Sequence, residues 1–157
     1  MIQGAIFDVD GTLLDSMCVW MHLGENYLRS LGYEPEENLT QVFKSFSTRQ
    51  AAAYYREHYG VTLSEEEIMA GINDMAARFY REKALPRPGI PEFLEELRKK
   101  QVKMCVATAT DRTLVLSALE RCGIAGYFER IFTCDEVMAG KDQPKIFREA
   151  RKFLETP

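Results

Sequence analysis

Two aspartates, Asp8 and Asp10, flank Val9 where an apolar run from Ile2 to Phe7 meets a glycine, in the stretch FDVDGTLLDS from Phe7 to Ser16. Residues two apart on an extended chain point the same way, so the two carboxylates are expected to converge at the strand's carboxyl end. Open parallel sheets bind their ligands at that end. Gly11 lets the backbone turn with positive φ, and Thr12 is expected to tie the turn through its hydroxyl. The plainer reading of the same residues is a polar D-G turn in which one aspartate caps a helix.

The elements that must hold these carboxylates are legible as runs and periods. Ile2–Phe7, Val102–Ala107 and Ile131–Cys134 are short, nearly unbroken apolar runs, the pattern of parallel strands covered on both faces. Helical spacing fills the gaps: Pro91–Lys100 carries Phe93, Leu94 and Leu97, and Asp111–Cys122 carries Leu114, Val115, Ala118 and Leu119 before Gly123 stops it. This alternation predicts an α/β core. Residues 16–83 show no strand signal. Ser16 is expected to cap a helix running to Gly32, Thr48 to start one ending at Gly60, and Ser64 with Glu67 to form a capping box for a third reaching about Ala84. We therefore expect an all-helical insertion at 16–83 between core segments 1–15 and 84–157, with hinges at Gly11 and at Pro86–Gly89. Trp20, Tyr54, Tyr55, Phe79 and Tyr80 fall at helical spacing and read as the core of that insertion.

Composition narrows the class. The 157 residues are 46% apolar and 28% charged, with a formal charge of −4, the balance of an ordinary globular protein able to bury a core. No basic stripe appears beyond Arg98, Lys99 and Lys100, a trio that reads as the solvated end of a helix. Nucleic acid is thus not an expected partner. No apolar run is long enough to span a bilayer and no signal peptide opens the chain, so neither a membrane partner nor export is expected, and a cytoplasmic protein is. Cys18, Cys105, Cys122 and Cys134 lack C-x-x-C spacing and read as small buried apolar residues.

The aspartate motif does not stand alone. The strand ending at Thr108 follows it, and Gly140–Lys141 precedes a helix opening near Pro144. Taken singly, Thr108 reads as a hydroxyl satisfied by its own loop, and Lys141 as a surface lysine beside Asp142. In this order, with D-V-D-G-T-L-L-D-S at the start, the chain resembles the haloacid dehalogenase superfamily, more closely its β-phosphoglucomutase-like phosphatase branch. The resemblance implies a Rossmann-like, three-layer parallel-sheet core with an inserted helical cap. It implies that Asp8 is a nucleophile forming an aspartyl-phosphate and that Asp10 is the general acid/base. It makes Thr108 a phosphoryl ligand and Lys141 the cation that neutralises Asp8 and phosphate together. Thr12 and Ala109 would line the phosphate, and Arg49 in FSTRQ, Phe46 to Gln50, would reach a phosphate or acidic group from the cap. The reading of Arg49 as a solvated helix-start residue stays open.

A phosphate approaching two carboxylates needs a cation, because unit charges about 4 Å apart repel by roughly 4 kcal/mol at an effective dielectric near 20. Mg²⁺ is the expected cofactor, a hard ion that bridges carboxylate and phosphate oxygens, and the resemblance implies Asp8 through its side chain and Asp10 through its backbone carbonyl as ligands. The expected activity is hydrolysis of a small phosphomonoester, a sugar phosphate or similar metabolite. A phosphomutase of the same chemistry and a non-catalytic phosphate-binding module are the alternatives. The family also supplies acidic residues from a fourth strand in a G-D-S- or E-D-S-like stretch, which has no counterpart before Pro157, and Asp142–Gln143 replace a proline-rich spacing after the lysine. The core is therefore expected to lack its C-terminal strands. Either the sequence is part of a longer protein, or the apolar edge of Ile2–Phe7 is covered by a second copy in a homodimer.

Overall fold

The computed structural model describes residues 2–155. The three apolar runs form β1 (Gly4–Phe7), β2 (Lys103–Thr108) and β3 (Arg130–Thr133), paired in parallel in the order β1-β2-β3. Phe7 lies opposite Val106 and Thr108 opposite Thr133, so the three strands end on one side of the sheet. β2, the central strand, is buried at five of its six positions, which is why its sequence does not alternate. Ile131–Cys134 was expected as strand throughout. The strand instead stops at Thr133, whose hydroxyl accepts the amide of Glu136 and so caps α7 (Cys134–Val137).

Eight α-helices occur among the described residues, and the chain divides into two units. One joins Met1–Ser16 to Tyr80–Pro157, and the other is Met17–Phe79. In the first, α5 (Ile90–Lys99), α6 (Arg112–Arg121) and α8 (Lys145–Leu154) accompany the sheet. Asp111 caps α6 by accepting the amide of Thr113 at 2.8 Å. α8 lies on all three strands, and its Ile146, Ala150 and Leu154 share one apolar cluster with Cys105, Ala107 and Phe132. Burial there pushes the Cys105 thiol up to about 11. Cys18, expected to be buried, is exposed. No helix of the described residues is long and apolar enough to cross a membrane.

The second unit holds α1 (Met17–Ser30), α2 (Leu39–Phe43), α3 (Thr48–Tyr59) and most of α4 (Glu65–Glu82). Ser64 and Glu67 exchange the two hydrogen bonds of a capping box, and Ser47 with Gln50 forms another before α3. Leu28, Leu39, Ala52, Tyr55 and Ile68 fill its core. Gly24 is required by packing: a Cβ there would meet the Phe43 ring at 2.5 Å. Tyr55 donates to the Gly24 carbonyl at 2.6 Å. Trp20 departs from the expected core set: it is 40% exposed and, with Met21, Phe43 and Lys44, lines a cleft of about 330 Å³ between α1 and α2. Tyr80 departs as well, because it belongs to the sheet-bearing unit.

Candidate active site

The turn after β1 is built around Val9, which is fully buried. Its carbonyl accepts the amides of Thr12 (3.2 Å), Leu13 (2.9 Å) and Leu14 (3.0 Å). Gly11 takes a φ of 75° and donates to the Leu14 carbonyl at 2.9 Å, a conformation that costs glycine little. The tie expected from the Thr12 hydroxyl is made by its amide, and the side chain lies exposed at the turn. A second segment braces the turn. Leu14 bridges to Pro86, the Arg87 amide donates to the Leu13 carbonyl at 2.9 Å, and the Arg87 guanidinium donates to the Gly11 carbonyl. With Val9 turned into the core, its neighbours Asp8 and Asp10 stand half-buried at the strand's end.

Lys141 donates to Asp8 Oδ1 at 2.6 Å, across 133 positions of sequence. The two side chains keep 29% and 40% of their surface, so the pair is open enough for a ligand to reach. The lysine's loop is held from both sides. Upstream, the Ala139 amide donates to the Cys134 carbonyl at 3.1 Å, and downstream that of Gln143 donates to Gly140 at 3.1 Å. A Cβ at Gly140 would lie 2.4 Å from Asp142 Oδ1, so a larger residue there requires the Asp142 side chain to rotate away. α7, which precedes the loop, is anchored by Arg112. Its guanidinium donates to Glu136 Oε2 at 2.7 Å and also to the Ile131 carbonyl. The Arg112 hydrogen bond holds the Glu136 carboxyl below the usual carboxylate range.

Asp10 is met by three hydroxyls. Ser16 donates to Oδ1 at 2.6 Å, Tyr80 donates to the same oxygen, and Thr110 donates to Oδ2 at 2.6 Å. Ser16, which immediately precedes the helix it was expected to cap, gives its hydroxyl proton to Asp10. Thr108, buried at the end of β2, accepts the amide of Thr110 at 3.1 Å. Its own hydroxyl proton is left to serve another acceptor. Ala109 sits exposed between the two threonines. Arg49 lies in the helical unit, where its guanidinium pairs with Glu65 at 3.3 Å and Glu66 at 3.8 Å.

The structure therefore brings Lys141 onto Asp8, and the loop after Thr108 onto Asp10. Tyr80, Ser16 and Thr110 are additions at Asp10 that the sequence reading missed. The available signal was chemical, since a buried tyrosine hydroxyl finds a hydrogen-bond partner, but nothing in the spacing says which. Among the described residues no group of three Asp, Glu, His or Cys side chains gathers to cage a metal. The Asp8 carboxylate and the Asp10 carbonyl are hard oxygen donors at one strand end. That set fits Mg²⁺, which is held by one or two carboxylates together with phosphate and water oxygens.

With this geometry in view, comparison with known proteins is informative. The sequence model of the family described as haloacid dehalogenase-like hydrolase matches residues 5–157. A phosphorylated carbohydrates phosphatase of Thermotoga maritima is 26% identical over 146 residues, 93% of this chain and 68% of the relative. A phosphoglycolate phosphatase of Rhodobacter capsulatus is 29% identical over 163 residues, spanning 100% of this chain and 73% of the relative. Among solved structures, a beta-phosphoglucomutase-like protein of Thermotoga maritima superposes with a TM-score of 0.87 at 25% identity, covering 99% of this chain and 72% of the other. The CbbY protein of Rhodobacter sphaeroides, solved with phosphate, shares the fold with a TM-score of 0.71 at 23% identity, over 100% of this chain and 74% of its own.

Proposed function

The chain belongs to the haloacid dehalogenase-like hydrolases, and from that membership we propose that it is a phosphatase of small phosphomonoesters, sugar phosphates or similar metabolites, acting through an aspartyl-phosphate on Asp8. The observation that carries this reading is the 2.6 Å Lys141–Asp8 pair at the end of β1, with Asp10 two residues on. The phosphatase names of the relatives support it.

In this reading an Asp8 carboxylate oxygen attacks phosphorus, and the bond from phosphorus to the leaving oxygen breaks. The electron pair goes to that oxygen, which takes a proton from Asp10. Water then attacks the phosphoryl group, gives a proton back to Asp10, and the bond to Asp8 breaks to release inorganic phosphate and restore the carboxylate. Lys141 balances the charge on Asp8 and the incoming phosphate, and Thr108 offers its hydroxyl to a phosphoryl oxygen. Ala109 and Thr12 would border the phosphate, and Arg49 would serve an acidic group of the substrate. Mg²⁺, held by the Asp8 carboxylate and the Asp10 carbonyl, would supply charge neutralisation when bound. The same cycle run back to a sugar hydroxyl is phosphomutase chemistry, which the beta-phosphoglucomutase-like structural relative favours as a second reading. Transfer of label from one sugar phosphate to another separates the two.

The test is hydrolysis of an aryl phosphate with Mg²⁺, with a chelator, and by Asp8→Asn. We expect chelation to suppress turnover reversibly and Asp8→Asn to reduce it by about 10³-fold or more. Equal turnover by Asp8→Asn would overturn the nucleophile assignment.

A further inference from the structure

Asp10 has to exist in two forms within one catalytic cycle, and its partners suit both. An N–H or cationic donor aimed at the oxygen that takes up the proton loses its bond when the acid forms. A hydroxyl rotates from donor to acceptor and keeps its bond in either form. Among the described residues three hydroxyls meet Asp10, and they are distributed unevenly: Ser16 and Tyr80 both reach Oδ1, whereas Thr110 reaches Oδ2. Ser16 and Tyr80 are fully buried. Tyr80 is fixed at its backbone too, because the Arg121 guanidinium donates to the Tyr80 carbonyl at 3.4 Å and to the Ala84 carbonyl.

We propose that Tyr80 is a positioning residue for the acid/base: with Ser16 it pins Asp10 Oδ1, so that Oδ2 is the oxygen that exchanges the proton with the leaving group. This inference rests on the phosphatase reading above and adds a residue that the aspartate motif does not contain. A tyrosine merely finding a partner for its buried hydroxyl would stabilise the fold without affecting proton delivery, and the two roles make different predictions. Proton delivery matters most when the leaving group is a poor one, such as an alkoxide. It matters least for a nitrophenolate, which departs unprotonated.

The experiment uses the full chain and compares kcat/KM for an alkyl phosphate, glycerol phosphate, with that for p-nitrophenyl phosphate, in the native protein, Tyr80→Phe, Asp10→Asn and the double variant. The expected result is that Tyr80→Phe lowers the alkyl-to-aryl ratio about tenfold, the scale of a misplaced catalytic group, and changes that ratio no further once Asp10 is Asn, because the two act as a unit. Equal losses on both substrates, or additive effects in the double variant, would overturn the positioning role while leaving the phosphatase reading intact. A native protein that hydrolyses neither substrate would overturn the phosphatase reading, and this inference with it. Should Tyr80→Phe fail to fold, Ser16→Ala removes the second donor from the same oxygen and carries the same ratio test.

Discussion

Lys141 reaches Asp8 at 2.6 Å from a loop tied by the Ala139 and Gln143 amides and entered through Met138 at a φ of 52°. Placing a flexible four-carbon side chain at one carboxylate sacrifices rotamer freedom, which a surface lysine would keep. In the proposed reaction that fixed ammonium offsets the repulsion between Asp8 and an approaching phosphate, of order 4 kcal/mol per unit-charge pair at about 4 Å and an effective dielectric of ~20. Lys141→Ala should therefore lower kcat/KM for a phosphomonoester by about 10²–10³-fold, the usual loss for one such electrostatic group, and weaken inorganic phosphate binding in calorimetry. Unchanged kinetics would show that the pair is structural. Arg49 makes a milder case: its hold on Glu65 and Glu66 is exposed and contributes little. On its proposed role at an acidic group of the substrate, Arg49→Ala should raise KM about three- to tenfold, the effect of one lost charged contact, with kcat little changed, and an unchanged KM would mark Arg49 as a solvated helix-start residue.

At the scale of elements, the site depends on a helix that carries none of its proposed groups. α8 carries no proposed catalytic group, yet it begins four residues after Lys141 and packs on all three strands. Ile146→Ala, at a fully buried position of the shared cluster, should cost about 2–5 kcal/mol of unfolding free energy in denaturant titration. A loss under about 0.5 kcal/mol would mean that the helix does not seal the sheet. The strands and the long helices were legible in the sequence because burial on both faces erases alternation in β2, and because Ser64, Glu67 and Gly60 are chemical stop and start signals. α2 and α7 were not legible: at five and four residues they are too short to show a period. The bond from Ser16 to Asp10 was not legible, because a serine hydroxyl before a helix reads first as a cap. The aspartates and Lys141 were singled out because their order along the chain resembles the family's, and Lys141 taken alone reads as a surface lysine. Nor was the place of Tyr80 at the site legible, since 70 positions separate it from Asp10 and only the folded chain closes that gap.

For the whole molecule, the two units meet in sequence at Ser16/Met17 and Phe79/Tyr80, so the second junction falls a few residues before the expected boundary at 83. The reason is visible in the first unit: Tyr80 is buried on Asp10, and Arg121 holds the carbonyls of Tyr80 and Ala84. α4 therefore runs out of the helical unit and ends, within the sheet-bearing unit, on the proposed acid/base. Neighbouring connections are stitched as well, with the Asp15 amide donating to Leu85 at 2.9 Å. What unites residue, element and unit is a carboxylate at the end of β1 that, in the proposed reaction, accepts a phosphoryl group. The most direct measurement is rapid acid quench of the protein with a phosphorus-labelled substrate and Mg²⁺, followed by peptide mapping of the label. The account predicts acid-stable label on the peptide containing Asp8, absent from Asp8→Asn. Label on another residue, or turnover with phosphate released and no labelled peptide under single-turnover conditions, would contradict it.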